Sequence, residues 1–397
     1  MKIAFLQNWF DRTSPDVVKN NNSRMLHYIT ESLKKNGAEV ILIPPAIKCD
    51  LPNKLRHAFY KFVLHQRHLQ YTDISLLKRE AKIRSKIINK LDIDAVFAFS
   101  NYSLAFLETN KILAYWSDIC FAQQRTGNPL YLNLTKSTLK NANFVEQMAL
   151  NKIDAAFFTS AWTKNAVKNN FDVDENKLLV APLGPDTPIS HTFQDVKEMV
   201  TKKINNPICK FIFIGSHWVN KGADVAVEIV KQLNNRGLKS ELMIIGCEVE
   251  GKNIPEFIKN IKFLNKNNPE ELNLFIQHLS EANFFILPTL FDCTPHTICE
   301  ASAFGVPSIS HKFGGIPEMI KEGKNGKTFS IGENIDNYCD YVIEIYSDKF
   351  KYEQLCLSSY NEYINYLNWD FGTKIIMDKL NEIKKIKQQK MQCKISI

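Results

Sequence analysis

Leu287-Pro288-Thr289-Leu290-Phe291-Asp292-Cys293-Thr294-Pro295-His296-Thr297-Ile298-Cys299-Glu300-Ala301-Ser302-Ala303-Phe304-Gly305-Val306-Pro307 reads as the end of a buried strand, a loop and a helix. The run Phe284–Pro288 is apolar and closed by proline, as a strand covered on both faces would be. Asp292 falls in the loop and Glu300 inside the helix, with Thr294 or Thr297 available as its cap. Ala301, Ser302, Ala303 and Gly305 are small enough to let that helix lie close on a sheet. Its first turn would direct the amides of His296, Thr297 and Ile298 at an anion, the use a helix N-terminus invites. Glu300 would project into the same space as an acceptor for a hydroxyl pair, like the ribose-binding acid of dinucleotide folds. The competing reading is an acid that only stabilises its own helix.

Outward from this block the same strand–helix alternation recurs. Upstream lie strands Lys210–Ile214, Glu241–Ile245 and Ile261–Leu264, with helices Ala223–Leu233 and Pro269–Leu279 between or after them; Pro307–Ser310 follows as a further strand. The first half repeats it, with strands at Lys2–Leu6, Glu39–Ile43, Ala95–Phe99, Ile112–Trp116, Ala155–Thr159 and Leu178–Ala181. Strands alternating with helices predict an α/β protein with parallel sheets. The Pro182-Leu183-Gly184-Pro185-Asp186-Thr187-Pro188 break, followed by a polar stretch to Asn206-Pro207, divides two doubly wound halves and reads as the linker. A final helical pattern runs from Trp369 to about Lys390. Ligands of such sheets bind beyond the carboxyl ends of the strands, so two halves facing one another would place a site in a central cleft.

One loop fits that rule. Strand Phe211–Ile214 is followed by Gly215-Ser216-His217-Trp218-Val219-Asn220-Lys221-Gly222, where Gly215 lets backbone approach a ligand and Lys221 brings a point charge to a helix mouth. A solvated loop lysine would read the same way, and the P-loop spacing is absent. In the first half Asp118 directly follows strand Ile112–Trp116, as a site residue or as a helix cap. Ser160 reads as a cap.

The Asp292-x7-Glu300 spacing, the following Ala-Ser-Ala-Phe-Gly-Val-Pro, and Gly314-Gly315-Ile316-Pro317-Glu318 with Gly323 and Gly326 resemble the EX7E signature of retaining GT-B glycosyltransferases. More narrowly, they are similar to the GT4-type "glycosyl transferases group 1" family. The Gly215…Lys221-Gly222 loop sits at that family's phosphate-loop distance upstream. Tyr115-Trp116-Ser117-Asp118, Glu146, Ser160-Ala161-Trp162 and Pro182-Leu183-Gly184 resemble the N-terminal domain of a subgroup, and Leu367–Asp370 resembles its closing element. The sequence departs from the family in having Asp at position 292, Ser216 and Asn220 where an arginine is usual, and Asn20-Asn21-Asn22-Ser23 in place of the Gly-Gly of the first loop.

The resemblance implies two Rossmann-like domains facing a cleft: an acceptor domain over 1–187, a donor domain over 205–369, and a helix over 370–397 crossing back to the first. It implies transfer of a hexose from a nucleotide diphosphate sugar to a glycan or lipid-linked acceptor in polysaccharide or glycoconjugate assembly, with retention. No cofactor and no metal are implied; the nucleotide sugar is a co-substrate. Catalysis would fall to Lys221, Asp292 and Asp118. Donor binding would fall to Gly215, Ser216, Lys221, Asn265, Lys266, Asp292, His296, Thr297, Ile298 and Glu300, with Asn265 and Lys266 at the nucleobase or in a simple turn. Asn8, Asn22 and Ser23 would meet the acceptor. Two other classes stand beside this reading: a catalytically weak relative that binds sugar nucleotides, and a two-domain solute-binding protein.

The 397 residues exceed the span of one usual core, and 45% hydrophobic with 23% charged residues is the composition of a globular protein. Nine scattered cysteines without CxxC indicate a reducing compartment, and the start lacks a signal-peptide pattern, so a cytoplasmic enzyme is expected. The net charge of +8 is uneven: residues 48–91 hold eleven Lys/Arg against three Asp/Glu. Residues 54–68 set Leu55, Phe59, Phe62 and Val63 on one helical face among cations. That is either a peripheral contact with the inner face of a membrane or an ordinary surface helix packed by its apolar side. No nucleic-acid motif accompanies it.

Overall fold

The structure, a computed structural model, describes residues 1–7, 21–47, 51–127, 131–249 and 254–395; the side chains of 21–23, 51–54, 126–127 and 394–395 lie outside that description. The chain divides into two units, Met1–Pro182 with Asp370–Ile397, and Leu183–Trp369. The first holds a parallel sheet of β1 (Lys2–Leu6), β2 (Glu39–Ile43), β3 (Ala95–Ala98), β4 (Ile112–Ser117), β5 (Ala155–Phe158) and β6 (Leu178–Val180), in the order β2-β1-β3-β4-β5-β6. The second holds β7 (Cys209–Ile214), β8 (Ser240–Ile245), β9 (Ile258–Ile261), β10 (Phe284–Leu287), β11 (Ser308–His311) and β12 (Gly326–Phe329), ordered β12-β11-β10-β7-β8-β9. Every strand pair is parallel, with register such as Ile286 opposite Ile309 in β10–β11. Central strands such as Ala95-Val96-Phe97-Ala98 and Phe284-Phe285-Ile286-Leu287 are buried throughout, because helices cover both faces.

Two organisational expectations are corrected. The stretch read as a linker contains helix Phe193–Ile204, which opens with a Thr192–Asp195 capping box and buries Val196 and Val200 in the second core. Its charged residues other than the buried Lys203 occupy the solvent side of an amphipathic pattern, which made it look like a tether. The Pro-rich segment from Leu183 onward belongs to the second unit, where Trp369 Nε1 donates to the Pro185 carbonyl at 2.8 Å. Strand β9 ends at Ile261 instead of beginning there, and Asn21–Ser23 open helix Asn21–Lys35 instead of forming a loop.

Helix Trp369–Ile395 is fastened to the first unit. Ser32 Oγ donates to Asp370 at 2.8 Å and shares a 2.7 Å hydrogen bond with Thr373; Lys384 pairs with Asp94 and Lys387 with Asp154, both at 2.8 Å. Among the described residues, no helix is long and apolar enough to cross a membrane.

Candidate active site

The second sheet reverses its winding between β7 and β10, the first and fourth strands of its unit. At such a switch point the loops leaving neighbouring strands diverge and open a crevice beyond their carboxyl ends. The two loops here are 215–222, after β7, which includes the short helical turn Trp218–Lys221, and 288–295, after β10. They are bonded to one another: Leu290 N and Thr289 Oγ1 both donate to the Asn220 carbonyl, at 2.9 and 3.0 Å. Gly222 has φ +74°, and a Cβ there would lie 1.9 Å from the Pro288 carbonyl oxygen, so only glycine fits. Gly314 repeats this on the other side, with φ +60° and a Cβ position 2.2 Å from the Asp292 carbonyl oxygen. The Gly-Gly-Ile-Pro segment thus supports the Asp292 loop from beneath.

This framework brings Lys221 and Asp292 together as an ion pair, with both side chains mostly buried. Gly215 packs against the Lys221 side chain, while Ser216 and His217 face solvent. Helix His296–Ala303 starts from Pro295 without a side-chain cap, so neither Thr294 nor Thr297 caps it. The Ile298 amide donates to the Pro295 carbonyl at 3.1 Å, which removes it from the set of amides offered to an anion. His296 Nδ1 donates to the Gly184 carbonyl at 2.7 Å, so its ring is fixed by the Pro-rich segment. The Thr297 hydroxyl is buried with no hydrogen-bond partner.

Glu300 is fully buried. Its Oε1 accepts from Lys266 Nζ at 2.6 Å and from the Thr187 hydroxyl, while Oε2 has no partner. Lys266 also places its ammonium 4.0 Å from the centre of the Phe275 ring. A buried carboxylate held on one oxygen and open on the other is an acceptor waiting for a donor. Lys266 is therefore committed to Glu300. Asn265 forms a local turn: its Oδ1 accepts from Asn267 N at 3.1 Å and its own amide donates to Glu271 at 2.6 Å. The other end of the Glu300 helix is closed by Lys203, fully buried, whose Nζ reaches the Phe304 and Gly305 carbonyls at 3.3 and 3.4 Å.

Sequence reasoning missed Thr187 and Lys203. Thr187 carried one signal, a polar side chain enclosed by prolines; Lys203 was hidden in the supposed linker.

Asp118 belongs to the first unit, directly after β4, where its carbonyl accepts from Thr163 Oγ1 at 2.7 Å. Ser160 caps helix Ala161–Asn170. Glu146 is buried on helix Lys136–Lys152, accepts from the Phe121 amide at 3.0 Å, and is pushed up to about 7 by burial. Asn8 lies outside the described residues, and Asn22 and Ser23 are described only as the backbone of the helix that begins at Asn21.

These features define a class of protein before any comparison: two Rossmann-like domains, one with an acid-and-lysine site at its switch point. Residues 209–348 match the family described as glycosyl transferases group 1. The chain is 24% identical over 172 residues to a spore coat protein SA of Bacillus subtilis (strain 168), a match covering 40% of this chain and 45% of that one. It is 24% identical over 173 residues to a D-inositol 3-phosphate glycosyltransferase of Corynebacterium efficiens, covering 40% of each chain. The matches thus span less than half the length of these curated relatives. Its fold is similar to that of sucrose-phosphate synthase from Thermosynechococcus elongatus, with TM-score 0.64, 12% identity and 99% of both chains covered. It is also similar to HepE of Anabaena in complex with UDP, with TM-score 0.62, 12% identity, and 96% and 100% covered. The family likeness thus covers residues 209–348, and the fold is the GT-B fold.

Proposed function

We propose that the protein is a glycosyltransferase that moves a hexose from a nucleotide diphosphate sugar to a glycan or lipid-linked acceptor, with retention, in polysaccharide or glycoconjugate assembly. The observation that supports this best is the pair of loops at the β7–β10 switch point, which join Lys221 to Asp292 beside the helix that buries Glu300. In this reading the Glu300 Oε2 accepts from the ribose. Lys221 and the His296 and Thr297 amides stabilise charge growing on the departing diphosphate. Lys221 exchanges Asp292 for the diphosphate, which frees the Asp292 carboxylate for hydroxyls of the donor sugar. The positive charge comes from the chain, so the reading needs no metal ion and no cofactor. Asp118 serves on the acceptor side, and the reaction takes place in the cytoplasm.

The test is a thermal-shift screen of the full chain against UDP, GDP, ADP and their sugars, with and without a chelator. A chelator-insensitive shift for one nucleotide, lost in Glu300→Gln, is expected. Absence of a shift for every nucleotide overturns the reading. Binding without turnover points instead to a weak relative, which Ser216 and Asn220 in the phosphate loop would explain.

A further inference from the structure

Helix Leu51–Phe62 is turned inside out. Arg56 pairs with Asp73 at 2.7 Å, His57 Nδ1 bonds the His68 carbonyl at 3.2 Å, and Tyr60 stacks on the His68 ring at 5.3 Å. His57 and Tyr60 are half-buried on this side, and Arg56, itself half exposed, reaches back to the buried Asp73. Leu55, Phe59 and Phe62, at i, i+4 and i+7, lie on the opposite side, and Val63 and Leu64 continue it past the helix end. All five are between 47% and 69% exposed. They are five of the twenty-two exposed large apolar side chains among the described residues, gathered within ten positions, so they form a patch and not scatter. Leu132, 63% exposed, adjoins Asn133, whose side chain donates to the His65 carbonyl at 2.6 Å, and enlarges the patch.

The charge around this face has one sign. Between Leu55 and Leu91 the acids are Asp73 and Glu80. Both are buried, Asp73 against Arg56 and Glu80 against Arg84 and the amides of Ala46 and Ile47. Lys61, Arg67, Lys78, Arg79, Lys82, Lys86 and Lys90 are exposed. The segment therefore shows solvent apolar rings and cations, with its own acids withdrawn.

We propose that this face docks the protein on an anionic phospholipid bilayer, with Leu55, Phe59, Phe62, Val63 and Leu64 entering the headgroup boundary and the cations meeting lipid phosphates. A water-soluble partner would need acids to match the cations and a groove to match the rings; an anionic bilayer supplies both charge and apolar depth over a flat surface. The inference stands apart from the donor reading, since a chain that binds no nucleotide still tests it.

The experiment is flotation of the full chain with phosphatidylcholine vesicles, with and without about 30 mol% phosphatidylglycerol. Flotation only with the anionic vesicles, reversed by salt, is expected. Phe59→Ser with Phe62→Ser is expected to weaken binding at least roughly tenfold, with an unchanged thermal melt because both rings already face water. Phe62→Trp reads the same contact without loss of apolar surface, and its emission should shift to the blue on anionic vesicles. No flotation, flotation indifferent to the double serine variant, or an unshifted Trp emission overturns the proposal. So does a dimer that the double serine variant splits, since the face would then be covered by a second copy.

Discussion

Lys266 and Glu300 form an ion pair of 2.6 Å in which the carboxylate is fully buried and the ammonium lies over the Phe275 ring. A buried pair of this kind contributes little over an apolar replacement, but losing one member strands the other.

Glu300→Gln should therefore cost about 3 kcal/mol of stability as well as nucleotide affinity, because Lys266 keeps its charge without a counter-ion. Lys266→Met should cost a similar amount. The double variant should lose less than the sum of the two. Urea denaturation of the four proteins checks this, and additive losses would show that the pair is not coupled.

Lys221→Ala should lower kcat/KM for the donor found in the nucleotide screen by roughly two to three powers of ten, or ~3–4 kcal/mol of transition-state stabilisation. A solvated loop lysine would leave the rate unchanged. Steady-state kinetics with that donor distinguishes them.

Gly222→Ala should destabilise more than Gly237→Ala, although both positions have positive φ, +74° and +88°. At Gly237 the added Cβ meets nothing within 4 Å, so only the backbone strain of about 1 kcal/mol applies. At Gly222 the Cβ collides with the Pro288 carbonyl and must part the two site loops, at a cost of at least ~2 kcal/mol. Equal losses of urea midpoint would mean that the loops give way freely.

Glu146 gives a pH signature. Burial raises its folded pKa to about 7, above the ordinary carboxylate value, so the folded state holds the proton more tightly than the unfolded chain. Its contribution is most favourable below the unfolded pKa and declines as pH rises through about 7. Across pH 5–8 the stability of the natural protein relative to Glu146→Gln should fall by roughly 2–3 kcal/mol. Chemical denaturation at pH 5, 6, 7 and 8 reads it, and a flat difference would refute the shift.

The α/β class, the strands and the Asp292–Glu300 spacing were legible along the chain because apolar runs and helical periodicity are local properties. Helix Phe193–Ile204 was not, since one buried stripe of Val196 and Val200 is masked by the charges beside it. The outward apolar face of helix Leu51–Phe62 was not either. An amphipathic pattern says that two faces differ, not which one meets the protein.

The local pattern of residues thus carried the two parallel sheets, and it set Lys221 and Asp292 in the segments after strands and Glu300 in the helix that follows. The pairings came from the order of strands in space. Placing β10 beside β7 joins Lys221 to Asp292 across 71 positions, and folding the Pro-rich segment onto the same unit brings Thr187 to Glu300 across 113. Such contacts have no sequence period, because they depend on which crossover neighbours which strand. The same cause assigned Lys266 to Glu300 and turned five apolar side chains of residues 55–64 outward.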